Sequence, residues 1–303
     1  MGGANRKAPT VNDTADMFWP CVIVLGSTGR LGQALVQQLT TKEQPVVLPS
    51  RQTYESWGEP DGYYKARQFI RTAAPRHSLL LNAAGLIDPR EPLDAHLKAN
   101  TRLAINAAHA ITDHHGMSIS FGSALERLLP RETMNSYILS KWRLGHWADG
   151  AAAIGLPVLH LQMHTLYGGG PPSPFMFLGQ ILAAIRDKVP FKMTSGLQLR
   201  EYHHVEDEAH AIRHLAGLGF RGSVPLSHHK PVSLRQLSEA IFTAFDCENL
   251  LRIGALPTPP GENYGYVFDR LAQIEGSSFR DTISSVISWF ESQLTPTQLT
   301  RVR

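Results

Sequence analysis

The chain has 303 residues, of which 43% are hydrophobic and 18% charged, with a formal net charge of +3. That is enough apolar material for one large α/β domain with a smaller lobe attached. The small, unclustered positive excess excludes the basic stripe of a nucleic-acid binder and leaves room for a local pocket that holds an anion. Two distant cysteines, Cys21 and Cys247, make no disulfide framework. The longest apolar run near the start, residues 17–25, is too short to span a membrane and contains Pro20. No basic segment with a cleavage site accompanies it, so the expectation is a cytoplasmic protein that engages no membrane. Residues 1–16 are polar and glycine-rich and are expected to be disordered.

Residues 21–25 (CVIVL) form an unbroken apolar run, the pattern of a parallel strand buried on both faces. It runs into a glycine-rich turn, after which residues 33–40 carry apolar positions at helical spacing. A second short strand is expected over 45–49 (PVVLP), a helix over 65–74, and a buried strand over 78–85 ending in a turn. Helix over 92–111, strand over 117–123, helix over 135–153 and strand over 157–163 follow. This alternation predicts an α/β fold with a doubly wound parallel sheet of the Rossmann type. Beyond residue 165 the pattern changes. GGGPPSP (168–174) is a loop, and a helix is expected over 175–187. Residues 199–205 read as a strand leading into an acidic helix start. Residues 233–245 read as an amphipathic helix with Ser233 as N-cap, and 278–293 as a last helix. The expected organisation is a sheet domain over 17–165 and, over 166–303, a smaller lobe with segments returning to the sheet.

Gly26, Gly29 and Gly32 stand between a strand and a helix. A phosphate can approach such a backbone closely and meet the unpaired N–H groups and positive dipole of the helix start. The turn Gly26-Ser27-Thr28-Gly29-Arg30-Leu31-Gly32 is therefore a candidate dinucleotide site. Its G-x-x-G-x-x-G spacing resembles that of extended short-chain dehydrogenase/reductases. The end of the second strand should meet the adenosine ribose. There the chain carries Ser50 and Arg51 rather than the acidic residue that accepts from an NAD 2′-hydroxyl. Arg51 can pair with a 2′-phosphate, which points to NADP(H).

Tyr137 and Lys141 lie four apart in a helical stretch, on one face. Reduction of a ketone needs a proton donor at the carbonyl oxygen. A nearby ammonium is expected to lower the tyrosine pKa, and a hydroxyl beside it holds the oxygen in line. Ser123, at the end of the preceding strand, supplies that hydroxyl, where ligands sit in an open sheet. Ser123, Tyr137 and Lys141 are the candidate catalytic set.

With these residues in place the chain resembles the NAD-dependent epimerase/dehydratase branch of the extended short-chain dehydrogenases, from about residue 22 to 290. The resemblance implies that Asn82-Ala83-Ala84-Gly85 is the turn after the family's fourth strand, lying along the cofactor. It implies that Asn100 is the asparagine of the dimer-facing helix, grouped with the cofactor residues. Leu166-Tyr167-Gly168 resembles the family's V-Y-G segment, and residues 199–207 its R-D-F-I-H-V-D-D stretch, so Arg200 would hold a nucleotide diphosphate. Ala124, His164 and Thr165 would line the substrate site. The chain departs from the family at Ala124-Leu125, where dehydratases carry the Asp-Glu pair that removes water, which argues against a 4,6-dehydratase. Thr165 and Gln162 also replace a common Asn and Arg. The implied partner is a nucleotide-diphosphate sugar, and the implied assembly a homodimer through a four-helix interface of helices 92–111 and 135–153.

The paired histidines 114–115, 203–204 and 228–229 point in different directions within each pair, and no metal is expected. Three functions compete: a reductase of a keto group, taken as C4, on a nucleotide-linked deoxyhexose; an epimerase holding NAD(P) tightly; and an NADP-binding regulatory protein without turnover. Retention of the whole Ser/Tyr/Lys set places the last one third.

Overall fold

Every residue of β1 (Val22–Leu25) is fully buried, and the alternation of a strand sends its side chains into two cores. Val22 and Val24 pack with Leu35 and Leu39 of helix α1 (Arg30–Thr40) and with Ile212 and Leu215 of the Val205–Ala216 helix. Ile23 and Leu25 pack on the other face with Ile70 of the Gly62–Ala73 helix and with Leu103, Ala107 and Ile111. Each such side chain contributes about 1.5–3 kcal/mol when withdrawn from water. Burial on both faces is why the strand reads as a continuous apolar run. The computed structural model describes residues 19–40, 43–258, 262, 264–274 and 277–294. The expected disorder of residues 1–16 falls outside the described residues.

The central sheet has six strands, all parallel. Their order is Gly222–Pro225, β5 (Val158–Met163), β4 (Met117–Ser123), β3 (Leu79–Asn82), β1 and β2 (Val46–Val47). The chain runs one way from β1 to β2 and the other way from β3 onward. The carboxyl ends of β1 and β3 therefore flank the switch point where ligands of open α/β sheets bind. Leu79–Asn82 is the third described strand, not the fourth as the resemblance implies. Between β2 and β3 the chain folds as short helices over Arg51–Tyr54 and Glu55–Gly58 and the longer Gly62–Ala73 helix, with no strand among the described residues there.

The long helix expected over 92–111 runs from Leu93 to Thr112, but its Leu97–Arg102 stretch is a π-segment. The last strand of the sheet and the Val205–Ala216 helix come from beyond residue 165 and return to the sheet core. A second core joins the Phe177–Asp187, Leu234–Ala244 and Thr282–Gln293 helices around Phe242, Phe290 and Tyr167. Ser233 caps its helix in a full capping box with Gln236. The strand expected over 199–205 is two short strands, Leu199–Arg200 and Tyr202–His204, interrupted at the buried Glu201. Among the described residues no helix is long and apolar enough to cross a membrane.

Candidate active site

The glycine turn sits at the switch point. Gly26 has φ +72°, and a Cβ there would lie 2.6 Å from the Ala83 carbonyl carbon and the Ala84 nitrogen. A Cβ on Gly32 would lie 2.1 Å from the Gly26 oxygen. Both glycines thus let β1, α1 and the Asn82–Gly85 turn close on one another. At Gly29 the nearest atom is 3.3 Å away. Gly29 and Thr28 are exposed and Ser27 half-buried, so this part of the turn faces outward beside the start of α1, whose first N–H groups have no partner within the helix. Leu31 packs against the core. The Arg30 guanidinium turns to the C-terminal lobe, donating to the Pro171 carbonyl at 2.6 Å and lying 5.7 Å from the Trp289 ring centre. An outward backbone loop on a helix start, with no side chain in the way, fits a dinucleotide pyrophosphate.

Ser50 caps the short Arg51–Tyr54 helix, its hydroxyl accepting from the Thr53 nitrogen at 3.4 Å. Arg51 is 83% exposed and pairs with Glu55 at 3.8 Å, a surface pair of little energetic weight. Tyr54, which no sequence motif marks, is buried, and its hydroxyl hydrogen-bonds the Gly26 backbone.

The Asn82–Gly85 turn links this loop to the catalytic helix. Asn82 Oδ1 accepts from the Ala84 nitrogen at 3.2 Å. A Cβ on Gly85 would lie 3.0 Å from Asn100 Oδ1 and 3.5 Å from Lys141 Nζ. Asn100 is buried within the π-segment, accepts from the Leu86 nitrogen at 2.8 Å and donates to the Leu86 carbonyl at 2.9 Å and the Ser140 hydroxyl at 3.0 Å. Its side chain therefore holds the turn in place from behind.

Tyr137 and Lys141 share one face of the Ser136–Ala153 helix, which is capped by Asn135. Lys141 Nζ donates to the Phe121 carbonyl at 2.7 Å, on the strand that ends in Ser123. Burial, reinforced by the charge of Glu126, pushes the Tyr137 phenol up to about 12. Burial pushes Lys141 down to about 8, against the pull of Glu126. The sequence predicts that Lys141 lowers the tyrosine pKa. In the folded chain the phenol moves the other way, raised by burial and by Glu126, because the phenolate is the form that loses most on leaving water.

Glu126 belongs to no motif in the sequence. It is buried and accepts from the Ser123 backbone nitrogen at 2.5 Å, from Gln162 Nε2 at 3.2 Å and from His160 Nε2 at 3.1 Å. His160 Nδ1 meets the Ser120 hydroxyl at 2.9 Å. Burial favours the acid form of Glu126, but His160 and the two further hydrogen bonds hold its pKa below the usual carboxylate range. Helical spacing could not reveal this pair, since the partners are 34 residues apart.

On the substrate side, Ser123 is half-buried and Ala124 buried, with the Ala124 N–H bonded to the Met163 carbonyl at 2.8 Å. The Thr165 N–H bonds the Glu201 carbonyl at 3.2 Å. Arg200 forms an ion pair with Glu262, so its charge is already compensated. His164 follows β5, beside the end of β4. Burial drives its pKa down to about 3, and its Nε2 has no hydrogen-bond partner among the described residues. It is a neutral group.

Beneath it, Glu201 accepts from the Ser227 hydroxyl at 2.7 Å, the His228 nitrogen at 3.0 Å and His203 Nε2 at 3.1 Å, while His203 Nδ1 reaches Glu208 at 2.6 Å. Burial alone would lower the His203 pKa, but Glu208 and Glu201 overcome it and raise it to about 9. Glu201, His203 and His228 each offer a ligand atom within 4.8 Å of the others. Both nitrogens of His203 are taken up by carboxylates, so the cluster is ion-paired as it stands.

No curated protein matches the sequence. Solved structures share the fold at low identity. A dTDP-4-dehydrorhamnose reductase from Clostridium acetobutylicum ATCC 824 is similar with TM-score 0.71 and 15% identity over 90% of this chain and 99% of that one. A UDP-N-acetylglucosamine 4-epimerase from Methanobrevibacter ruminantium M1, in complex with UDP-N-acetylmuramic acid, is similar with TM-score 0.71 and 16% identity over 92% and 100%. MoeE5, in complex with UDP-glucose and NAD, is similar with TM-score 0.69 and 19% identity over 90% and 99%. The sequence pattern of the NAD dependent epimerase/dehydratase family matches residues 22–223, and with the sheet, glycine turn and Tyr137/Lys141 helix in the same span, the chain belongs to that family.

Proposed function

We propose that the chain is an NADPH-dependent reductase of a keto group, taken as C4, on a nucleotide-diphosphate-linked deoxyhexose. The observation that carries this reading is geometric: Tyr137 and Lys141 share one face of the helix that packs against the strand ending in Ser123, and Lys141 Nζ is bonded to the Phe121 carbonyl of that strand. Tyr137, a neutral phenol, is a proton donor at neutral pH, as a reduction requires. The exposed Arg51, held only by a weak surface pair, supports NADP(H) over NAD.

The cofactor would lie along residues 26–32, reach Ser50 and Arg51 with its ribose phosphate, and pass Asn82–Gly85 toward Lys141. When bound it supplies the hydride. Tyr137 gives its proton to the developing alkoxide, Ser123 orients the carbonyl oxygen, and the Lys141 ammonium favours the phenolate that remains. His164, neutral and buried, and Thr165 line the sugar, with Ala124 behind them. Arg200 would exchange Glu262 for the diphosphate. Glu126 cannot replace the missing dehydratase carboxylates, since its oxygens are occupied by Ser123, Gln162 and His160.

The test is NADPH oxidation with a panel of nucleotide-linked 4-keto-6-deoxyhexoses, compared with NADH. Consumption with one of them, absent in Tyr137→Phe, supports the reductase. A second reading, an epimerase, draws on solved neighbours such as a Thermus thermophilus UDP-glucose 4-epimerase in complex with NAD. It requires dinucleotide to remain on the freshly purified protein and no net consumption. Turnover-free regulation would need a biological role that survives Tyr137→Phe. We also propose a homodimer through the Leu93–Thr112 and Ser136–Ala153 helices, to be read from sedimentation equilibrium.

A further inference from the structure

A buried carboxylate beside a buried lysine, with neither paired to the other, demands an explanation. Glu126 has 5% relative exposure and Lys141 8%. Two glycines make room for Glu126 and its partner. A Cβ on Gly122 would lie 2.2 Å from Glu126 Oε1 and from His160 Nε2, and one on Gly145 would lie 2.9 Å from Glu126 Oε2. Gly145 is one helical turn beyond Lys141, so Glu126 faces the same side of the helix, roughly 5–6 Å along it from the lysine position. The carboxylate also grips the amide of Ser123 at 2.5 Å. It thus touches the end of the strand that carries the serine and lies along the helix that carries the tyrosine and lysine.

Besides the Ser123 amide at the end of β4, the groups facing Glu126 come from two elements. His160 approaches from β5, and Gln162, itself bonded by Arg127, comes from the same strand. Tyr137 and Lys141 face it from the helix, and electrostatic interaction with Glu126 reaches both. Lys141 Nζ has a neutral hydrogen-bond partner, the Phe121 carbonyl. Among the described residues, the charge that acts on it is that of Glu126.

We propose that Glu126, clamped by His160 and Gln162 against the Ser123 amide, is a positioning residue that keeps the Lys141 ammonium charged near neutral pH. This rests on the reading of Ser123, Tyr137 and Lys141 as the catalytic set, but the lysine's ionisation can be read without it. A bare lysine at this depth loses its proton readily, because burial disfavours the charged form. A fixed carboxylate one turn away restores it without forming an ion pair that would pull Nζ off the Phe121 carbonyl. The arrangement separates charging the lysine from orienting it.

The experiment is competitive acetylation of the full-length protein with acetic anhydride between pH 6 and 10, with Lys141 followed by peptide mass spectrometry, alongside the pH profile of kcat. Glu126→Gln keeps the side-chain shape and removes the charge. The midpoint of Lys141 reactivity should move toward acid by about one pH unit, the low end of what a nearby opposite charge produces. The alkaline limb of kcat should move with it. Ser120→Ala loosens the same network at His160 Nδ1 but leaves the carboxylate and its His160 partner, and must not produce the acid-ward shift. Should Glu126→Gln not fold, Glu126→Gln/His160→Gln leaves two neutral amides facing each other and should show the same shift. An unmoved Lys141 midpoint in the charge-removing variants, or an equal shift in Ser120→Ala, overturns the proposal. A shifted lysine midpoint with an unshifted kcat limb leaves Glu126's effect standing and counts instead against Lys141 as part of the catalytic set.

Discussion

Two glycines three residues apart should fail in opposite ways. At Gly32 an alanine methyl would sit 2.1 Å from the Gly26 oxygen and 2.8 Å from Ser27 Cα. Contact distances of about 3.3 Å require α1 to retreat from β1 by about 1 Å, and overpacking of this kind costs about 1–3 kcal/mol. With an m-value of about 3 kcal/mol/M, a loss of about 2 kcal/mol lowers the urea midpoint by about 0.7 M. At Gly29 the nearest atom to an added methyl is 3.3 Å away, so Gly29→Ala should leave the midpoint within about 0.2 M. There the methyl stands in the path of the pyrophosphate instead. Holding the phosphate off by about 1 Å weakens a charged hydrogen bond worth about 1.5–3 kcal/mol, and a loss of about 2 kcal/mol weakens NADPH binding about 30-fold. Urea unfolding followed by fluorescence, and NADPH titration, read the two effects separately. NADPH binding of wild-type strength in Gly29→Ala, with the fold intact, would refute the placement of the cofactor along this turn.

Tyr137→Phe removes the proton donor and should lower kcat by about 10²–10⁴-fold while the NADPH Kd stays within about threefold, as stopped-flow and equilibrium titration would show. Arg51→Ala should narrow the preference for NADPH over NADH by about tenfold through loss of a charged contact, with no change in thermal midpoint, since the side chain is 83% exposed. His203→Gln leaves the buried Glu201 and Glu208 without their cation and should destabilise by about 3–5 kcal/mol, measured by urea unfolding. The His203 pKa is raised to about 9 from an ordinary value of 6.5, so its stabilising contribution is complete below that ordinary value and is lost as pH climbs through the raised one. His164 and His228, lowered from 6.5 to about 3 and about 4, act the other way, because the unfolded chain binds their protons first and stability falls as pH drops below that ordinary value. Unfolding across about pH 5 to 10 should therefore show a maximum between these limits that flattens on its alkaline side in His203→Gln.

Much of this protein is legible along the chain because the governing interactions are local. The apolar run of β1, the glycine spacing before α1, the four-residue step from Tyr137 to Lys141 and the Ser233 cap depend on periodicity and on backbone geometry within a turn or two. They lead directly to the parallel sheet and to the nucleotide end of the site. What only the tertiary structure decided lies across the sheet. Glu126 meets His160 from the neighbouring strand, Arg200 meets Glu262, and Glu201 gathers Ser227 and His228 from a segment 26 and 27 residues away. No period in the sequence announces such pairs. The ionisation of Tyr137 and Lys141 belongs with them, since spacing places the two side chains on one face but burial, which the fold alone sets, fixes the energy of each charge.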